Sequence, residues 1–373
     1  MGTFKARWTL CAFGKPLLGI VGLLFLTLHF GPNRERAIAG INDFVGMYTG
    51  ADLAGTAEQF QVDAYLREQE RATGWTAPSI LSTRPPAFAL LLRPLTWFDY
   101  QHAYAIWQTL SLAAFVTFLI IWPFRNRASL LVAACWSFPL FASLWNGQDT
   151  TFVLLAVACA WRLASSSPFK AGMVLALVTV KFHLFLLVIV FLAAQRRRRM
   201  LAGAAVTIAI VISLCFAVAG AHWLPEYLRF VLQKSVTPSV PSMPNLRGLL
   251  EKLPYGVALE ITGAVLASLG SVYIARKTTF AAGMSTALIA SLLVSPHAYM
   301  ADMLLLLPAL LTLAEEEQSE AVSILCIVLL SPLPFLVQQQ SPLAAPLPLL
   351  LITLFVAVLL TVRKDRALSR QYA

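Results

Sequence analysis

Charge is scarce in this chain. Only 12% of its 373 residues are Asp, Glu, Lys or Arg, while 58% are hydrophobic; a soluble domain carries about 25% charged residues. A water-soluble fold of this length could not hide that much apolar surface, and the apolar residues come in long uninterrupted runs with no polar face. Several signatures are missing. No Asp-x-Asp pair is available to hold a divalent ion on the outer connections, and no Walker loop or dinucleotide fingerprint occurs. No Cys-x-x-Cys spacing occurs either. The five cysteines, Cys11, Cys135, Cys159, Cys215 and Cys326, lie in or beside apolar runs, so they read as small core residues and neither as metal ligands nor as a disulfide framework. No cofactor and no metal is expected. No soluble domain and no internal repeat is visible, so residues 1–373 are read as a single membrane domain.

The net charge is +10, yet the basic residues cap the ends of apolar runs and form no stripe with interleaved aromatics, which excludes nucleic acid as a partner. Runs long enough to cross ~30 Å of hydrocarbon fall near 14–31, 101–122, 128–145, 150–164, 171–194, 201–220, 255–275, 280–294, 301–314, 321–337 and 346–362. The first resembles a signal peptide, but GPNRER follows it in place of a small-x-small cleavage site, so a retained helix is expected. Lys181 and His183 lie near the middle of 171–194, where charge is expensive. Two short helices meeting at a KFH bend remove that cost. The count then becomes about twelve crossings.

The positive-inside rule orients them. With a cytoplasmic N-terminus, Lys5, Arg7 and Lys15, Arg125 and Arg127, Arg162 and Lys170, Arg196 to Arg199, Arg276 and Lys277 and the tail Arg363, Lys364, Arg366 and Arg370 all fall inside. Only the EEEQSE connection departs from that pattern, so both termini are predicted to be cytoplasmic in a multi-pass plasma-membrane protein. Two outer connections exceed plain turns, the first from 31–100 and the second from 221–254. The first is expected to hold a polar helix over 51–72 and then, after Pro85 and Pro86, an apolar stretch from Ala87 to Leu92 that is too short to span. The second, with Trp223, Tyr227, Pro238, Pro241 and Pro244, suits an interfacial helix and an extended loop.

The polar groups able to do chemistry gather at the outer helix ends. They are Asp43, Arg84, Asn146, Gln148, Asp149, Lys181, His183, Asn245, Arg247, His297, Tyr299 and Asp302. Their settings are ordered motifs: DF-x-x-x-Y, then R-P-P-A-F-A-L-L with a following P-L and A-Y-x-x-W, N-G-Q, A-G-x-x-x-x-L-x-x-x-K, P-N and S-P-H. This order resembles glycosyltransferase family 87 over roughly residues 16 to 310. The chain departs from the family with Arg84 before the Pro pair, where Tyr is common, and Phe182 after Lys181, where Pro is common.

The resemblance implies an all-α integral membrane protein, a GT-C-like polytopic bundle of about 12 transmembrane helices with long non-cytoplasmic loops carrying interfacial helices. It also implies transfer of a sugar, a hexose such as mannose, from a polyprenyl-phosphate-linked donor to a hydroxyl of a lipid or glycan acceptor among membrane lipids. In the family the Asp of the first-loop motif is the proposed base, and Asp43 is the matching position; the plain alternative is a helix N-cap or a solvated loop acid. Lys181, His183 and Arg247 suit a leaving phosphate, against a snorkelling lysine, a core histidine and a solvated arginine. His297 suits donor orientation or helix termination. Gln148 suits sugar hydroxyls, with capping as the alternative for Asn146, Gln148 and Asp149; Asn245 accompanies Arg247, and Arg84 binds an anion or shapes its loop. A competing class is a polytopic transporter or lipid-linked-sugar flippase, which would place its polar groups near the bilayer midplane in repeated halves.

Overall fold

Long apolar runs broken by Pro, Ser and Gly dictate helices and little else, and that is what forms. The computed structural model describes residues 14–74, 80–233, 240–316, 319–340 and 345–371, and every regular element among them is helical. Lys5 and Arg7, the EEEQSE residues 317–318, and Pro238 lie outside the described residues.

Among the described residues, five helices are long and apolar enough to cross a bilayer: Gly14–Ile38, Tyr100–Ile121, Arg198–Ala219, Gly256–Ala275 and Pro346–Arg363. Two bent pairs bring the number to as many as 7. The expected span 128–145 is one of them, with Arg127–Cys135 and Phe138–Trp145 meeting at 55°. Ser137 causes the break: its side chain accepts from Leu140 N at 3.3 Å, starting a new helix that carries a Pro in its first turn. The expected span 321–337 bends by 58° between Leu330 and Leu333, where Pro332 removes a backbone donor. Thr150–Ser166 and Phe280–Val294 are shorter apolar helices, and 301–314 divides into a 3₁₀ turn, Asp302–Leu305, and the helix Leu306–Glu315.

The stretch 171–194 breaks where the buried charge required it to. Pro168–Leu175 tightens into a 3₁₀ segment, Ala176–Leu184, with non-helical backbone at Lys181 (φ −128°, ψ 49°), and Leu186–Ala194 follows. Lys181 Nζ reaches Thr150 Oγ1, at the start of Thr150–Ser166, at 2.9 Å. Gln195, after the second limb, donates to Ala275 O at the end of Gly256–Ala275 (3.0 Å). The two limbs therefore rise to a bend and return. The first limb packs backbone to backbone on Arg198–Ala219: a Cβ at Gly172 would stand 1.9 Å from Met200 O, and one at Gly203 2.0 Å from Phe169 O. Such small-residue contacts let helices approach where lipid supplies no hydrophobic drive.

The connections 31–100 and 221–254 cover the end of the bundle at which the KFH bend lies. The helix expected over 51–72 is two helices, Phe44–Asp52 and Val62–Thr73, with turns between them. Pro86–Leu92 is a short helix resting on Arg198–Ala219 and on Phe44–Asp52. Trp223–Val231 is amphipathic. Trp223 and Phe230 are buried, while Leu224 and Leu228, and Leu232 just beyond, are exposed on another side.

Candidate active site

Two short segments far apart in sequence clasp each other beside this cover. Asn42 Nδ2 donates to Tyr104 Oη at 2.9 Å and to Trp145 O at 3.1 Å, and Phe44 N donates to Asn42 Oδ1 at 3.1 Å. Asp43 N donates to Asn146 O at 3.1 Å, and Trp107 Nε1 to Gly147 O at 2.8 Å. Gly147 sits at φ +61°, and a Cβ there would meet Phe44 Cβ at 2.8 Å and Asn42 Oδ1 at 2.9 Å. The turn requires glycine for both reasons. The A-Y-x-x-W and N-G-Q motifs are thus the scaffold that sets Asp43 beside Gln148.

Below that clasp lies a buried cluster of three carboxylates and two cations. Arg84 grips Asp149 with a fork, Nε to Oδ2 at 2.7 Å and Nη2 to Oδ1 at 2.9 Å. Lys181 Nζ lies 3.1 Å from Asp149 Oδ1 and 2.5 Å from Asp302 Oδ1, and it also donates to Gln148 Oε1 at 3.0 Å. Tyr299 N donates to the other Asp302 oxygen at 2.9 Å. Lys181 is 2% exposed and Asp149 1%, so these pairs are shielded from water. Asp43 differs: among the described residues it carries no ion pair, and its one side-chain partner is Gln148, whose Nε2 donates to Asp43 Oδ2 at 2.5 Å. Burial raises the Asp43 carboxyl above its ordinary value of 3.8, against the Gln148 hydrogen bond and the charges of Lys181 and Arg84. Asp149 moves the other way, since Arg84 and Lys181 outweigh its burial and hold it ionised.

A cavity of about 360 Å³ opens onto this cluster, within the ~300–1,000 Å³ of small-molecule sites. Seven of the nine residues expected at the site line it: Asp43, Arg84, Asn146, Gln148, Lys181, His183 and His297. The rings of His183 and His297 meet edge to face at 5.4 Å, and Tyr299 packs on His297 at 5.0 Å. Two residues lie elsewhere. Asn245 is fully buried; its side chain accepts from Gly248 N at 3.1 Å and donates to Ser295 O at 2.8 Å. It pins the P-N loop to the S-P-H turn and, fully buried, does not line the cavity. Arg247 lines a neighbouring hollow with Glu251 and Glu260, although its charge is felt at His297 and Tyr299.

The capping alternatives are not realised. Asp43 and Asp149 both stand at N-cap positions, but neither side chain makes a cap hydrogen bond, and Asn146 donates back to Ala142 O at 2.8 Å. Lys181 does not snorkel toward an interface; it ends in the ion cluster. In the sequence Asp302 and Tyr299 stand among the outer polar groups without an assigned role, and Asp149 carries capping as its alternative. The signal available for Asp302 was a carboxylate five residues beyond the S-P-H turn, in an otherwise apolar run.

The family model for glycosyltransferase family 87 matches residues 83–296, more than half of the chain. The chain belongs to glycosyltransferase family 87. It is a membrane glycosyltransferase, and the family match takes in Arg84, the N-G-Q turn, Lys181, His183 and Arg247, while Asp43 precedes it and His297 follows it. Neither a curated protein nor a solved structure gives a significant match to the chain.

Proposed function

We propose that this family 87 enzyme transfers a hexosyl unit, such as mannose, from a polyprenyl-phosphate donor to a hydroxyl of a lipid or glycan acceptor, with Asp43 as the general base. The supporting observation is that one of three clustered carboxylates has been left unpaired at a cavity wall. Asp149 and Asp302 are neutralised by Arg84 and Lys181; Asp43 keeps Oδ1 without a protein partner among the described residues, and its burial makes it more basic than an exposed carboxylate. An acceptor hydroxyl hydrogen-bonded to Oδ1 would lose its proton to Asp43 as it attacks the anomeric carbon. The bond to the phosphate oxygen breaks on the opposite side. Arg84, His183 and His297 on the cavity wall supply hydrogen-bond donors for the departing phosphate, with the charge of Arg247 behind His297.

In this reading the cavity faces the non-cytoplasmic side of the plasma membrane, both termini are cytoplasmic, and the short and broken helices complete a GT-C-like bundle of about twelve crossings. The donor's lipid stays in the bilayer, so no nucleotide-binding domain is required. Family membership and the gathering of charge at one end of the bundle favour transfer over transport.

The test is turnover of radiolabelled polyprenyl-phosphate sugars by purified protein in liposomes. Asp43→Asn preserves size and one acceptor oxygen but cannot take the proton, so turnover should fall by about 10²- to 10⁴-fold while donor binding persists. Asp52, which pairs with Arg71 at 3.2 Å in the same connection, provides the control, and Asp52→Asn should stay near wild type. Wild-type turnover by a folded Asp43→Asn protein would remove Asp43 as the base.

A further inference from the structure

Gln148 hydrogen-bonds both to the cations of the ion cluster and to Asp43. Its two ends are used differently. Oε1 accepts from Lys181 Nζ at 3.0 Å and lies 3.4 Å from Arg84 Nη2, while Nε2 donates to Asp43 Oδ2 at 2.5 Å. A primary amide can donate only from its nitrogen and accept only at its oxygen. Two cations on one edge therefore fix which edge is oxygen, and the other edge must present N–H to Asp43. The flipped amide would set N–H against Lys181 and Arg84 and oxygen against a carboxylate.

We infer that Gln148 is a positioning residue for the base: Lys181 and Arg84 lock its amide, and the locked amide ties down Asp43 Oδ2 and leaves Oδ1 turned to the acceptor. This rests on the proposed role of Asp43. Gln148 then serves proton transfer, and the sugar hydroxyls are read by other groups on the wall. Gly147 belongs to the same device, because its left-handed backbone carries Gln148 over Phe44 to Asp43.

Two substitutions test it in the liposome assay, read as kcat and KM against pH. Gln148→Leu keeps the bulk and removes the donor, so the ionised form of Asp43 loses a charge-assisted hydrogen bond. The acid limb of kcat/KM should move up by about one to two pH units, with activity partly recovered at high pH and donor KM within about threefold of wild type. Gln148→Glu keeps the acceptor for Lys181 but sets a carboxylate against Asp43; the limb should move further up. Should Gln148→Leu fail to fold, Gln148→Glu carries the test. A raised donor KM with an unmoved acid limb would assign Gln148 to sugar recognition and overturn the inference, as would an unchanged profile in a folded variant. The Asp43→Asn result is read separately: if that variant turns over normally the base assignment fails, whereas if it is inactive and the Gln148 limbs stay put, only the positioning role fails.

Discussion

At the scale of residues, the site consists of charges that neutralise one another and one that is left over. Lys181 was legible in the sequence as a cation at a helix break, but its partners were not, because Asp149 and Asp302 lie 32 and 121 residues away from it, and hydropathy carries no information about such pairings. The structure changes what its removal should do. Lys181→Ala would strand Asp302, which is 5% exposed and whose ion pair among the described residues is with Lys181, while Asp149 keeps the Arg84 fork; breaking a buried pair in this way costs roughly 3–5 kcal/mol. The expected outcome is a lower unfolding temperature in detergent together with lost activity. The double variant Lys181→Met with Asp302→Asn, which removes one charge of each sign, should recover part of the stability. A Lys181→Ala protein as stable as wild type, with only donor KM raised, would show a free phosphate ligand and not a cluster cation. Asp43, Arg84, Asn146, Gln148, His183 and His297 were legible because each is a polar group in a short motif at the end of an apolar run. Asn245 shared that signature, yet it is a structural clip; a motif alone does not report whether an amide faces a cavity or a neighbouring carbonyl.

At the scale of elements, apolar runs located the helices but not their breaks. The KFH bend was readable, since a charge in mid-span forces one. The bends before Phe138 and before Leu333 had weaker signals, Ser137 with Pro139 and Ser331 with Pro332, inside runs whose mean hydropathy suggests one continuous span. The 3₁₀ stretch Ala176–Leu184 had none, because its residues are ordinary helix and strand formers. What holds that limb against its neighbour is the pair of glycines, and the consequence is testable. Gly172→Val adds atoms where even a Cβ stands 1.9 Å from Met200 O; backbone cannot yield as a side-chain tip does, so Pro168–Leu175 must part from Arg198–Ala219. Because Lys181 rides on the same limb, the ion cluster should be disturbed as well. We expect a loss of at least 1–3 kcal/mol, the usual overpacking range, seen as a clear drop in thermal stability, whereas Gly31→Val, where a Cβ meets nothing within 4 Å, should change little. Equal stability of the two variants would mean that this contact does not hold the helices together.

At the scale of the whole molecule, the charged cluster, the clasp of Asp43 on Asn146 and the two long connections share one end of the bundle, and the basic turns share the other. The internal geometry supports the separation: Gln195 and Arg197 sit by Ala275 and Phe280, with the Arg197 guanidinium 4.9 Å over the Phe280 ring, and they occupy the opposite limb-ends from Lys181. Arginine-rich turns stay on the cytoplasmic side during insertion, so the site end should face outward. In a background freed of native cysteines, single cysteines at the exposed positions Glu58 and Glu251 should react with an impermeant thiol reagent applied to intact cells, and those at Arg125 and Arg198, exposed on the other end, should react only after permeabilisation. Glu58 and Glu251 belong to the first and second connections, so their agreement tests whether both cover the same face. Labelling of position 198 from outside would invert the protein and put Asp43 on the cytoplasmic side. A split result, with 58 labelled and 251 protected, would instead mean an odd number of crossings between the two connections, which the clasp around Asp43 and the contact of Asn245 with Ser295 could not accommodate.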